Sequence, residues 1–175
     1  TSATSEELVT VLGRLRSPYI FVQDQEQADK ILDGQAKIPF LKKIIYIDPT
    51  GMNGYDSNPL LISFKELLKA GEAAGLEDPE LFAKELKKGR PDDTAVMMLT
   101  SGTTGIPKLA MLSHRNFISM GRQWTEALNI DNHDNWLSMA PPAWIVDQMW
   151  GFGVAVCSGM TMNFPEMPDT VLSDF

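Results

Sequence analysis

Residues 100–108 read Thr100-Ser101-Gly102-Thr103-Thr104-Gly105-Ile106-Pro107-Lys108. Four hydroxyl side chains and two glycines fill the first six positions. That mixture is a poor interior for a helix or strand but a good cradle for an anion. Glycine lets the backbone approach closely and present its N–H groups. Serine and threonine hydroxyls donate to phosphate oxygens, and Lys108 adds a point charge. The spacing differs from the Walker A loop, in which lysine directly follows the second glycine and a helix begins. Here Lys108 stands three positions past Gly105, and Pro107 intervenes. On composition alone the segment reads equally as a phosphate cradle or as a surface turn between two strands.

Charge patterning sets the loop in an acid-free stretch. The chain has 175 residues, 23 acidic and 15 basic, for a net charge of −8. A nucleic-acid partner is not expected, because backbone binders are basic. The acidity is uneven: residues 94–125 hold no Asp or Glu, where about four would be expected at the chain average. The window carries Lys108, His114, Arg115 and Arg122. Such a gap could leave room for an anion, but on charge alone chance and a buried segment are the preferred reading. A single cysteine, Cys157, excludes an internal disulfide, and with only two histidines a His-built metal site is not expected. His133, in Asp131-Asn132-His133-Asp134, reads as a polar turn. No apolar run approaches the ~18 residues of a membrane span. A reducing, cytoplasmic setting is the expectation.

The elements that must position the loop alternate between strand and helix. Strands are expected at residues 19–22, 44–47, 95–99, 109–112, 136–140 and 161–164. Asp24 with Gln27, and Ser63 with Glu66, read as capping boxes. The second helix should close at Gly71. Asp78-Pro79 opens another, with Leu81, Phe82 and Leu86 inward. Ser113 caps a helix with Phe117, Gly121, Trp124 and Leu128 on one face. Residues 145–157 are apolar nearly all round and read as a buried helix, and 95–99 as a strand covered on both faces. The fold class is α/β: a three-layer, parallel-rich sheet with helices on both faces. The phosphate loop would follow a strand end, where such sheets bind ligands.

Extended through Leu109-Ala110-Met111-Leu112-Ser113-His114-Arg115-Asn116, the loop resembles the signature of the adenylate-forming superfamily. Its members include acyl-CoA synthetases, luciferases and peptide-synthetase adenylation domains. Phe21-Val22-Gln23-Asp24-Gln25-Glu26-Gln27, Pro91-Asp92-Asp93-Thr94-Ala95, Ser138-Met139-Ala140-Pro141-Pro142-Ala143-Trp144 and Asn163-Phe164-Pro165-Glu166 are similar to long-chain fatty acid–CoA ligases.

The resemblance implies a fragment of the N-terminal AMP-binding domain over residues 1–175. Residues 1–89 would form a βα-rich first part, and 90–175 the part with the loop. It implies that the whole protein activates a fatty acid with ATP as an acyl-adenylate and passes it to coenzyme A. Mg²⁺ would bridge the phosphates with Thr100 as a ligand. Ser101, Thr103 and Thr104 would hold phosphate, and Gly102 and Gly105 would allow backbone approach. Lys108 and Thr103 would be catalytic, Lys108 by neutralising charge. Trp144 would line the acyl pocket, where many relatives have histidine; a core tryptophan is the other reading. Leu109 replaces the family's usual glycine. Neither Tyr-Gly-x-Thr-Glu nor Thr-Gly-Asp, two later motifs of the family, occurs here. The piece alone is expected to be inactive and to self-associate, while the whole protein could touch a membrane peripherally. The alternatives are an aryl-CoA ligase, a peptide-synthetase adenylation domain, or a non-catalytic nucleotide-binding module.

Overall fold

Thr4 and Glu7 satisfy each other across a first helical turn. The Thr4 hydroxyl accepts from the Glu7 N–H at 3.3 Å, and the Glu7 carboxylate accepts from the Thr4 N–H at 2.8 Å. This capping box opens α1, Ser5–Leu15, an element absent from the expectations above. The coordinates are a computed structural model that describes residues 3–55, 57–100, 108–141 and 143–165. The chain divides into two compact units, Thr1–Lys88 and Gly89–Phe175.

In the first unit, β1 (Tyr19–Val22), β2 (Lys43–Tyr46) and β3 (Leu61–Ser63) pair in parallel in that order. Parallel neighbours need a long crossover, and α2 (Gln25–Asp33) supplies the first one. The Asp24 carboxylate caps α2 by accepting from the Gln27 N–H at 3.1 Å. Ala28 and Ile31 of α2 meet Ile44, Ile38, Val9 and Leu12 in the core. Tyr55 locks the β2–β3 connection against α2, donating to Asp29 Oδ1 at 2.6 Å. On the opposite side of the sheet, Phe21 meets Phe64 edge-on at 6.2 Å.

Phe64 begins α3, Phe64–Glu77, under a second capping box. The helix passes Gly71, its expected end, and Gly75 as well. A glycine stops a helix mainly by adopting positive φ, and neither residue does. Ser63 Oγ accepts from the Glu66 N–H at 3.1 Å, and Glu66 Oε2 accepts from the Ser63 N–H at 2.9 Å. Hydrogen bonds from the Ser63 side chain and backbone hold the Glu66 carboxyl below its ordinary pKa. Its contribution is therefore present at neutral pH and fades as pH falls through that lowered value. Ser63→Ala should cost about 1 kcal/mol in urea unfolding. It should also move the Glu66 carboxyl upward in an NMR titration; an unmoved titration would disprove the assignment.

The next helix is shorter than expected. α4 spans Leu81–Leu86, after a turn in which the Asp78 carboxylate accepts from the Glu80 N–H and pairs with Lys84 at 2.7 Å. Phe82 and Leu86 do not face inward; they are 78% and 69% exposed. A helix of under two turns covers only one side, and Leu81 takes it.

The second unit corrects the expected single sheet. It is α/β, but its strands lie in two separate pairs. β4 (Thr94–Thr100) and β5 (Lys108–Ser113) run antiparallel. The seven residues between them are too few for a parallel crossover, which needs about a dozen. The ribbon is covered on one face rather than both: Met98 is buried, while Met97, Leu99 and Met111 on the other face are exposed. α5, His114–Leu128, follows directly under the Ser113 cap. β6 (Asn135–Leu137) and β7 (Thr161–Asn163) are parallel. Their crossover is one helix, π-helical over Asp147–Gly153 and continuing as α6, Val154–Ser158.

That crossover is buried along one stripe rather than all round. Asp147, Gly151, Gly153 and Val154 are inside, while Ile145, Trp150, Phe152 and Val156 are exposed. The stripe meets α5 at close range through Gly153, opposite Gly121, and two half-exposed rings flank that contact. Phe117 packs on Phe152 at 5.9 Å and Trp124 on Trp150 at 4.9 Å. Leu128, one turn past the last of these contacts, is exposed rather than on the packed face.

Candidate active site

The β4–β5 hairpin fixes the two ends of the loop. Thr100 and Lys108 are register partners, and the Thr100 hydroxyl donates to the Lys108 carbonyl at 3.3 Å. Ser101, Gly102, Thr103, Thr104 and Gly105 lie outside the described residues. A register shift between Thr94 and Val96 precedes an alternating ladder. Side chains two apart on a strand share a face, so Met98 and Thr100 stand on one face with Lys108, Ala110 and Leu112.

That face opens on a cavity of about 690 Å³. Its other wall is Ala143, Trp144, Ile145 and Val146, the turn leading into the crossover helix. Every lining side chain is apolar except Thr100 at one end. The structure thus brings together Thr100 and Trp144, two residues singled out from sequence. Trp144 is 62% exposed, at the rim rather than in the core. The remaining strand residues of the lining, Met98, Leu99, Ala110 and Leu112, carry no chemical signal in sequence; the strand register brings Met98, Ala110 and Leu112 together, and Leu99 borders the space from between Met98 and Thr100.

The hairpin base is held by charge. Arg115 donates through Nε and Nη2 to the two Asp92 oxygens at 2.8 and 2.9 Å. These bonds hold the Asp92 carboxyl below its ordinary pKa and raise the Arg115 guanidinium. Arg115 is thereby engaged, so the acid-free window offers an anion fewer cations than its sequence suggests. Lys108 is exposed. Among the described residues, no three His, Cys, Asp or Glu side chains could jointly hold a metal ion. His133 sits in a turn, its N–H donating to Asp131 Oδ1 at 2.7 Å. Cys157 is half-buried, with Sγ 3.7 Å from the Ile118 carbonyl. No described helix is long and apolar enough to cross a membrane.

One buried polar contact was missed from sequence. Ser138 Oγ donates to Asp147 Oδ1 at 2.7 Å, and both residues are buried. A signal existed: Asp147 is the only charged residue between Asn135 and Pro165.

A profile for the AMP-binding enzyme family matches residues 1–174. The chain belongs to the AMP-binding enzyme family. Among curated relatives of this AMP-binding chain, long-chain-fatty-acid–CoA ligase 1 of Homo sapiens is 29% identical over 175 residues, covering 91% of the chain. Long-chain-fatty-acid–CoA ligase 5 of Mus musculus is 34% identical over 126 residues, covering 66% of it. The chain spans only 23% and 16% of those two proteins. Two solved structures share the fold. An anthranilate CoA ligase in complex with anthranoyl-AMP aligns with TM-score 0.68 at 18% identity, over 95% of this chain and 30% of its own. ATP-bound MatB from Rhodopseudomonas palustris aligns with TM-score 0.65 at 20% identity, over 99% of this chain and 31% of its own.

Proposed function

We propose that this AMP-binding chain is the phosphate-gripping piece of a larger ligase that activates a fatty acid with ATP and passes it to coenzyme A. The observation that carries the reading is the cavity. An apolar space in the size range of ligand pockets ends at Thr100, where the hydroxyl- and glycine-rich loop begins. An alkyl chain suits the apolar walls, and a carboxylate head suits the polar end. The fatty-acid ligases among the relatives support the same substrate class.

In this reading the loop hydroxyls of Ser101, Thr103 and Thr104 orient the triphosphate. Lys108 neutralises charge as the fatty carboxylate attacks the α-phosphorus and pyrophosphate leaves; coenzyme A thiol then displaces AMP. Such a site works by positioning and charge stabilisation. Mg²⁺ fits the donor set if it arrives on the nucleotide, because magnesium takes few protein oxygens and the Thr100 hydroxyl is only weakly engaged. The ion would supply further phosphate neutralisation. Trp144 forms part of the rim by which the chain enters. The Thr1–Lys88 unit carries no residue assigned to the reaction.

ATP–pyrophosphate exchange by the complete ligase, with palmitate, acetate and benzoate compared, tests this. Exchange is expected with palmitate. Exchange with benzoate alone moves the protein to the aryl-CoA ligases, and no exchange with any carboxylate defeats the enzyme reading. This chain by itself should be inactive and self-associating. Its affinity for Mg-ATP in calorimetry should be no better than millimolar, ~−4 kcal/mol, because one loop is a small part of a nucleotide site.

A further inference from the structure

Asp147 is 3% exposed and accepts one hydrogen bond among the described residues, from Ser138. An ionised carboxylate offers about four acceptor positions, so most of its capacity is unused. Beside it, the indole nitrogen of Trp136 is buried with no hydrogen-bond partner among the described residues. Both groups border the space that a side chain at position 151 would enter. A Cβ on Gly151 would stand 2.9 Å from Trp136 Nε1 and 3.4 Å from Asp147 Oδ1. A buried acceptor with spare lone pairs thus lies near a buried donor without an acceptor. An unmade buried hydrogen bond is costly, so an arrangement that joins them is favoured on that count.

The helix has a means of doing so. It is in π register over the turns that carry Asp147 and Gly151. π segments are rare and frequently sit at functional sites, and reversion to α register rotates the residues before it. Those residues, Trp144, Ile145 and Val146, are the far wall of the cavity.

We propose that Asp147 is a positioning residue with two stations, Ser138 Oγ and Trp136 Nε1, and that exchange between them moves the cavity wall. The station seen here holds the cavity open; the indole station displaces Trp144 and narrows it. The consequence for substrate rests on the acyl-pocket reading above, whereas the exchange itself does not.

The test uses the complete ligase. Ser138→Ala removes the open station and should raise KM for the fatty acid about fivefold, with KM for ATP unchanged. Trp136→Phe removes the other station and should lower KM for the fatty acid or leave it unmoved. Simple damage to packing would raise it in both variants. Acrylamide quenching of Trp144, taken as the difference between each variant and its Trp144→Phe counterpart, reads the wall without catalysis. It should change in Ser138→Ala and stay native-like in Trp136→Phe. If the alanine variant does not fold, Ser138→Cys replaces it. Any other pattern overturns the proposal. If the native ligase activates no carboxylate, the functional reading fails and the quenching result alone decides this one.

Discussion

Alanine at Gly121 should lower the stability of the unit that contains it by about 3 kcal/mol. The added Cβ would stand 2.4 Å from the Gly153 carbonyl oxygen and 2.8 Å from Cys157 Sγ. The first is backbone in the middle of a helix and cannot turn aside. Two effects compete. Alanine favours a helix interior over glycine by about 1 kcal/mol, but overpacking a close helix contact costs about 1–3 kcal/mol and occasionally more. Overpacking wins here, because relief means parting α5 from the crossover helix. That loosens the Phe117–Phe152 and Trp124–Trp150 contacts together. Adding Cys157→Ala should recover only part of the loss, since the carbonyl remains. Urea unfolding followed by tryptophan emission measures both variants. A Gly121→Ala protein as stable as the native one would refute the close contact.

Lys108→Met in the complete ligase should reduce ATP–pyrophosphate exchange by about 10²-fold or more, with little change in unfolding. The two halves of this expectation come from different observations. The side chain is exposed and makes no hydrogen bond or ion pair among the described residues, and substitutions at such positions usually stay within about 0.5 kcal/mol. Its backbone meanwhile fixes the end of the loop, so methionine keeps the strand and loses only the charge. Thr100→Val makes a useful companion, since it deletes the hydroxyl but keeps the β-branched shape. It should reduce exchange less than Lys108→Met. A Lys108→Met enzyme with native exchange would remove Lys108 from the reaction.

Local signals were legible where one residue pair does the work. Asp24, Ser63 and Ser113 cap the helices they were expected to cap, because a cap needs only a side chain and a backbone N–H a few residues on. The loop stood out because its composition suits no helix or strand interior, although composition alone left a phosphate cradle and a surface turn equally open. What failed was any inference requiring knowledge of the neighbour. Phe82 and Leu86 share an apolar helix face, but periodicity says which residues face together and not whether anything covers them. The apolar run at residues 95–99 looks the same in a buried parallel strand as in an exposed ribbon, although the short link to Lys108 would have decided it. Glycine in α3 was read as punctuation when its φ stays helical. The π register of the crossover helix leaves no distinct period within seven residues, so the neighbours of Trp144 in the cavity wall and the buried Asp147–Ser138 bond emerged only with the coordinates.

The pairing of Thr100 with Lys108 also bears on the order in which the site assembles. Their contact spans eight positions along the chain, and loops of about ten residues close in roughly 10–100 ns. The opposite wall waits for Asn135 to find Thr161, a parallel pairing of much higher contact order, whose closure entropy must be met first. On a ribosome, the hairpin that carries the loop can close before Thr161 has emerged to pair with Asn135.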